Sequence, residues 1–301
     1  MENELLHQCN LCDSDLLDVL DAECNVAQCR SCGYVFDNPR PSLEELIRFY
    51  SQPGKYDSWL DESSARDGLW RRRLKVLRRT RKPGTLLDVG TGIGQFLWLA
   101  SDSYSEVHGT EVSTTAIAIA KQKYGLDLFQ GTIEDFAGQG RVFDNITLFH
   151  VLEHVPDPRD VMRACHSLLS PGGVVVIAVP NDLNSLRARA RRLLVRLRIK
   201  DPKGRGRLGL PRIRLDGSID EIHLSHFTPD VLQEFLRATG FTVVSSTLDP
   251  YQVRRGIHSL VSDIYYYICL GIQRLTRMNL YDAILVIACK AGGETGHGPK
   301  A

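Results

Sequence analysis

Apolar residues recur along this chain with two periods. From residue 84 onward, short apolar runs alternate with stretches in which apolar positions return every three to four residues. "GTLLDVG", "EVHGTEV", "LDLFQG", "FDNITLFHVL", "GVVVIAVPN", "FTVVSSTL" and "AILVIACKA" read as strands. "IGQFLWLASD", "STTAIAIAKQKYG", "DPRDVMRACHSLLSPGG" and "TPDVLQEFLRATG" read as the helices between them. Ser113 and Thr228 are placed as N-caps, Pro229 in a first turn, and Gly125 and Gly240 at helix ends. The alternation predicts an α/β, doubly wound sheet that binds its ligands at the carboxyl ends of the strands.

Upstream the pattern changes. Residues 39–82 read as a helical linker: in "NPRPSLEELIRFY" Ser42 caps a helix with Glu45 three residues on, and "LWRRRLKVLRRTRK" is a basic helix that stops at Pro83-Gly84. Two insertions interrupt the later alternation. The first, about 183–216, sets Leu186, Ala190, Leu193, Leu194 and Leu197 on one helical face among arginines, then becomes a Gly/Pro/Arg-rich loop. The second, about 253–279, repeats Ile257, Leu260, Val261, Ile264, Ile268 and Ile272 at helical spacing.

With 301 residues the chain has room for one large domain and a small one. The start of the chain is acidic and lacks an apolar run, and Val174–Val179 is too short to span a bilayer, so the expected location is cytoplasmic. The net charge of +1 hides a split: residues 187–214 hold 12 Lys/Arg and one acid, whereas residues 1–38 hold 8 acids and one base. Partners are therefore expected segment by segment. An amphipathic basic helix over 186–200 suits a membrane surface, or a lid gripping an anionic or lipid-linked acceptor; a solvated loop is the plainer alternative.

Residues 1–38 also hold five of the eight cysteines. Cys9-x-x-Cys12 and Cys29-x-x-Cys32 are separated by 16 residues, the spacing of a zinc ribbon. Four thiolates leave no open coordination position, so the expected ion is structural. Cys24 lies between the pairs and could substitute for Cys29.

Candidate chemistry centres on "LLDVGTGIGQF". Gly90, Gly92 and Gly94 give GxGxG, where a pyrophosphate site would have GxGxxG. Asp88 precedes them, and an acid there suits a cation. Glu111 ends the next strand, 17 positions after Gly94, where a carboxylate can accept ribose hydroxyls. The ligand implied is a phosphate-free nucleoside with a cationic tail, and S-adenosylmethionine fits.

"LLDVGTGIGQF", "GTEVS", "GTIEDF", "FDNITLFHVLEHVPDP", "LLSPGGVVVIAVPN" and "HLSHFT…GF" resemble, in that order, the motifs of class I S-adenosylmethionine-dependent methyltransferases. The resemblance covers roughly 84–292, and is closest to the group holding ubiquinone-biosynthesis O-methyltransferases and many small-molecule and sugar methyltransferases. It implies a Rossmann-like sheet of seven strands, the last antiparallel, filling a domain over 83–293, with 294–301 as a tail. It also implies roles. Asp88 would help hold the methionine ammonium, and Gly90, Thr91, Gly92 and Gly94 would let the backbone approach the methionine part. Glu111 would take the ribose and Val112 would lie against adenine. Asp135 would accept from the adenine amino group, with Ile133 and Glu134 supplying backbone contacts. His150 would lie near the transferring methyl.

Methyl transfer from a sulfonium asks for alignment and a dry site, and a hydroxyl acceptor asks for a base. His154, His223 and His226 are the candidates, with His223 favoured for contacting the acceptor. Sugar C-methyltransferases that this chain resembles carry a Glu-His pair before "LS-aromatic-F"; here Ile222 and His223 stand there, and Glu221 is displaced by one. The departure favours O-methylation of a saccharide, nucleotide sugar or related metabolite. Two other readings remain: an RNA methyltransferase using the zinc ribbon and the basic insertion, and a methyltransferase-like protein that only binds a partner. "FHVLEH" stands where base-amino methyltransferases carry Asn-Pro-Pro-aromatic, which argues against nucleic acid.

Overall fold

A computed structural model describes residues 3–81, 83–197, 205–216, 219, 221–249 and 257–291, with 257–259 described by backbone alone. The expected tail at 294–301, the middle of the first insertion (198–204) and the start of the second (253–256) lie outside these residues.

Strands β1 (Asn3–Glu4), β2 (Leu17–Asp21), β3 (Val26–Cys29), β4 (Val35–Asp37) and β5 (Arg40–Pro41) come first, followed by helices α1 (Leu43–Tyr50), α2 (Asp57–Asp61) and α3 (Ser63–Thr80). The alternating region then runs β6 (Thr85–Val89), α4 (Gln95–Ser101), β7 (Glu106–Glu111), α5 (Thr114–Tyr124), β8 (Phe129–Gln130), α6 (Ile133–Ala137), β9 (Phe143–Phe149), α7 (Pro158–Leu168) and β10 (Leu169–Pro180). It closes with α8 (Leu186–Arg196), β11 (Ser225–His226), α9 (Pro229–Ala238), β12 (Phe241–Leu248), α10 (Ile257–Thr276) and β13 (Ala283–Lys290). Local chemistry sets the helix starts as the sequence suggests. Ser42 and Glu45 close a capping box on α1, the Ser113 hydroxyl accepts from Ala116 N–H, and Thr228 accepts from Val231 N–H.

Seven strands form the central sheet in the order β12-β13-β10-β9-β6-β7-β8. The five from β6 to β10 are parallel; β13 runs antiparallel to β10, and β12 antiparallel to β13. The run Val175–Val179 in β10 is buried throughout because helices cover both faces of the sheet. One face packs Leu87, Ile146, Leu148 and Ile177 against α7 and α9. The other packs Leu86, Val176 and Ala178 against Phe96 and against Leu69, Trp70, Leu74 and Leu77 of α3. The basic α3 is thus a layer of the domain. After β6 the chain goes one way to β7 and β8, then returns to β9 on the other side. This switch point opens a crevice at the carboxyl end of β6.

The cysteine-rich head builds a second sheet, β2-β3-β4, and the alternating domain completes it. β11 pairs antiparallel with β4, setting Ser225 opposite Phe36 and His226 opposite Val35. Tyr34 and Phe36 join the same apolar core as Phe227, Leu232 and Val161. Asn10 donates to the Pro156 carbonyl at 2.7 Å, and Arg159 returns a bond to the Asn10 carbonyl at 3.1 Å. His226 is buried at this junction, its Nε2 2.9 Å from Asp37 and its Nδ1 3.7 Å from Asp182. Burial opposes the charged ring, but the two carboxylates outweigh it and push His226 up to about 9.

A histidine whose folded value lies above its ordinary 6.5 stabilises the fold fully below pH 6.5, and that contribution is lost as the pH rises through about 9. Thermal melts from pH 6 to 9.5 should show Tm falling by several degrees across this window. The fall should be distinctly shallower in His226→Gln; identical slopes would refute the assignment.

Candidate active site

The crevice holds a cavity of about 450 Å³. Its floor is the turn after β6. Gly90 has φ +59°, and a Cβ there would come within 2.8 Å of Val151; Gly92 has φ +57°, and a Cβ there would meet the Trp59 ring at 3.0 Å. Both positions therefore require glycine twice over, for backbone conformation and for space. Asp88 lies buried beneath the turn and accepts from the Thr147 hydroxyl at 2.6 Å. Burial pushes its carboxyl up to about 6, against the hydrogen bonds of Thr147 and Thr91.

Glu111 ends β7 in the cavity wall. Its Oε1 accepts from Val112 N–H and Ser113 N–H, both at 2.8 Å, and its Oε2 accepts from Gly92 N–H at 2.7 Å. Burial raises its pKa, and these three donors oppose the rise. A carboxylate oxygen offers about two acceptor sites. Oε2 therefore keeps one for a ligand hydroxyl.

Of the residues expected at the methyl donor, Gly90, Gly92, Glu111, Val112, Glu134 and His150 line the cavity. Asp88 and Thr91 lie below its floor, both buried. A Cβ on Gly94 would meet Leu126 at 2.7 Å and Ala120 at 3.2 Å, so this glycine serves the packing of α4 against α5. Asp135 turns away from the cavity: its carboxylate accepts from the Thr132 N–H and hydroxyl, both at 3.0 Å, in the capping box of α6. Ile133 and Glu134 form that wall instead.

The opposite wall comes from the segment between the head and the alternating domain. Leu43, Leu46, Ile47 and Tyr50 of α1, with Tyr56 and Trp59 of α2 and its cap, close over the cavity. The apolar face of α1 was visible in the sequence, but nothing in its period says that a ligand lies under it. The Arg66 guanidinium stacks 4.4 Å from the Trp59 ring. Such a roof narrows the access of water to the crevice.

His150 and His154 line the far end of the cavity, and His223 stands beside His154 just outside that lining. His150 adopts φ +60°, an unusual conformation for a non-glycine residue, and its N–H donates to the Ala178 carbonyl at 2.8 Å. The buried Arg73 donates to His150 Nε2 at 2.9 Å, so the ring hydrogen sits on Nδ1, 3.0 Å from Glu153 Oε1. Asp249 pairs with the same guanidinium. Neither Arg73 nor Asp249 was singled out by the sequence, because Arg73 is one of many arginines in a basic helix.

His154 Nδ1 donates to the Ile222 carbonyl at 2.6 Å, with the Tyr50 hydroxyl 3.0 Å away. This leaves Nε2 with the lone pair. Burial holds the His154 pKa below its ordinary value, and the neighbouring His223 charge adds to the effect, against Glu153. His223 is the opposite case. Burial would lower it, but Asp182, 2.9 Å from its Nδ1, and Glu221 raise it well above its ordinary value. The two rings stand 5.1 Å apart, one held neutral and one charged. His226 lies outside the cavity, in the junction with the head. Glu153, His154 and His223 present donor atoms within 4.8 Å of one another, and Glu153 Oε2 and His223 Nε2 are buried without a hydrogen-bond partner. With His223 charged this set suits acceptor hydroxyls; a divalent cation would have to displace the His223 Nε2 proton to use it.

In the head, Cys9 and Cys32 sulfurs are 3.7 Å apart, and Cys12 and Cys29 sulfurs 3.5 Å. A tetrahedron with metal–sulfur bonds of about 2.3 Å has edges of about 3.8 Å, so the four thiols fit a zinc ion. Cys24 instead packs with Val26, Val35 and Leu210.

Sheet order, glycine turn and carboxylate-ended second strand together define a class I S-adenosylmethionine-dependent methyltransferase fold. The pattern of the family described as "Methyltransferase domain" matches residues 63–246, and the chain belongs to that family. It is 36% identical over 104 residues to the ubiquinone biosynthesis O-methyltransferase of Pseudomonas paraeruginosa, a match covering 32% of this chain and 44% of that one. The chain thus spans less than half the length of that curated relative. Among solved structures, the complex of the Haloferax volcanii Trm112 methyltransferase activator with a methyltransferase matches with a TM-score of 0.51 at 15% identity, over 81% of this chain and 97% of that one. The plantazolicin methyltransferase BpumL bound to SAH matches with a TM-score of 0.50 at 15% identity, over 82% and 94%. These likenesses concern the fold.

Glu111→Ala should weaken S-adenosylmethionine binding by roughly ten- to a hundredfold in calorimetry, the range for a lost hydrogen bond to a charged group. An unchanged affinity would remove Glu111 from the ribose site. If Asp88 holds the ligand's ammonium, affinity should rise as the pH passes upward through about 6, where its carboxyl ionises, and Asp88→Asn should abolish that rise.

Proposed function

We propose that the chain methylates a hydroxyl of a small-molecule acceptor such as a saccharide, a nucleotide sugar or a related metabolite, with S-adenosylmethionine as donor. The observation that carries this reading is His154 in the cavity wall, its Nδ1 donated to the Ile222 carbonyl and its Nε2 left with a lone pair, beside His223; burial favours the neutral form of the first, and carboxylates favour the charged form of the second. Two titratable groups driven apart by their surroundings divide base and acid roles between them.

S-adenosylmethionine, when bound, supplies a methyl on a positively charged sulfur that needs no further activation. Gly90 and Gly92 let backbone approach the methionine part, Asp88 answers its ammonium from below, and Glu111 takes the ribose. Val112, Ile133 and Glu134 would flank the adenine. His154 Nε2 would take the acceptor's hydroxyl proton, readying the oxygen for the methyl that the donor would supply. The Ile222 carbonyl and the Tyr50 hydroxyl hold the base in place, and charged His223, 5.1 Å from it between ring centroids, is the nearest acid. The Tyr50 and Trp59 roof narrows the access of water, which would compete for the methyl. Cys9, Cys12, Cys29 and Cys32 hold a structural zinc, and the head positions the loops carrying His154 and His226.

His154→Gln should lower kcat by about 10²- to 10⁴-fold with donor affinity unchanged. Because burial depresses the His154 pKa, the wild-type rate should level off already below pH 6.5, the variant losing this acid limb. Wild-type kcat in the variant would refute the assignment. The paired orphan atoms of Glu153 and His223 favour a second reading, in which a divalent cation orients the acceptor. Activity lost to EDTA and restored by magnesium or manganese would establish it; activity indifferent to EDTA would leave the proton-transfer role alone. Elemental analysis should find one zinc per chain, lost in Cys29→Ser, and that variant should raise KM for the acceptor more than for the donor.

A further inference from the structure

α10 presents its apolar side outward. Cys269 is fully buried, and Tyr265, Tyr266 and Leu270 pack beneath the helix against Tyr281 and Leu186. On the other side Leu260, Val261, Ile264, Tyr267, Ile268 and Leu275 are between 53% and 87% exposed. At 3.6 residues per turn these six fall within an arc of about 120°, along roughly 22 Å of helix. No charged residue lies inside the arc. Arg274 borders it, and the helix's one acid, Asp263, lies off it and half-buried. An apolar band of this length marks a docking surface.

Charge identifies the occupant. α8 starts at the edge of the band: Leu186 packs under α10, and the Arg187 guanidinium lies 4.6 Å from the Tyr265 ring. The sequence of α8, LRARARRLLVR, holds five arginines and no acid. Arg187 reaches Asp282 at 2.8 Å and Arg191 lies 4.0 Å from Asp182, while Arg189, Arg192 and Arg196 share the other flank. Burial and the like charges of Arg189, Arg196 and Arg191 hold the Arg192 pKa below its ordinary range. Between these flanks Leu193, Leu194 and Leu197 are 56%, 47% and 62% exposed. A second copy of the chain, docked symmetrically on this surface, would bring the arginine cluster against itself. A bilayer with anionic headgroups answers both features at once: the acyl boundary takes the leucines and isoleucines, and the headgroups take the arginines. No helix among the described residues is long and apolar enough to cross a membrane, so the contact lies along the surface.

We propose that α10, with the arginine-flanked α8, forms a peripheral membrane-binding surface for anionic bilayers. This goes beyond methyl transfer and does not depend on it. The test is flotation of the full chain with phosphatidylcholine vesicles, with and without 30% phosphatidylglycerol. The wild type should float with the anionic vesicles and stay behind with the neutral ones. Ile264→Asp with Ile268→Asp should abolish flotation. Arg189→Ala with Arg192→Ala and Arg196→Ala should weaken it by roughly a hundredfold, at about a factor of five or more per lost basic residue. Unchanged S-adenosylhomocysteine affinity in both variants controls for folding. Wild type that ignores anionic vesicles would overturn the proposal. So would a wild-type dimer, seen by light scattering, that the Ile264→Asp, Ile268→Asp variant dissociates while vesicles remain unbound.

Discussion

One half-buried carboxylate, Asp182, is shared by two histidines, and the arrangement beside the cavity depends on it. It follows β10 directly and faces His223 at 2.9 Å and His226 at 3.7 Å. Partial burial works to raise its pKa, yet the two rings hold it well below the ordinary carboxylate range. Desolvated charges of this kind persist only when each has its partner. Asp182 thereby keeps His223 charged, and the charge on His223 helps keep His154 neutral. The difference between two neighbouring imidazoles thus comes from burial at His154 on one side and from the carboxylates of Asp182 and Glu221 at His223 on the other.

The same network explains why the cysteine-rich head is more than an appendage. Asp37 in the head's last strand is the second partner of His226, and the head's sheet borrows β11 from the larger domain. Asn10, in the first knuckle, grips the Pro156 carbonyl two residues after His154. The head therefore touches both loops that carry candidate chemistry. A metal bound by the four thiols would act through these contacts on the geometry of the cavity.

Much of the donor half was legible in the sequence because it is local. A GxGxG turn after a strand, an acid before it and an acid at the next strand's end are fixed by short-range backbone rules, and the structure sets Gly90, Gly92 and Glu111 around the cavity. Asp135 shows the limit of that approach: a carboxylate at N3 of a helix beginning with Thr132 has its own local partner, and capping claims it. The acceptor half was less legible because it is assembled from afar. Arg73 meets His150 across 77 residues, Tyr50 meets His154 across 104, and Tyr34 meets Ser225 across 191. No periodicity in a basic helix marks which arginine will turn inward.

The pairing of β4 with β11 has a consequence for how the chain is made. Asp37 and His226 are 189 positions apart. At a synthesis rate of about 5–20 residues per second, the head emerges some 10–40 seconds before the strand that completes its sheet. For that interval β4 is an unprotected edge with free backbone donors and acceptors, in a segment already able to close around a metal. Early metal capture, leaving the edge strand in its final shape to await its partner, would separate orderly assembly from edge-to-edge association between nascent chains.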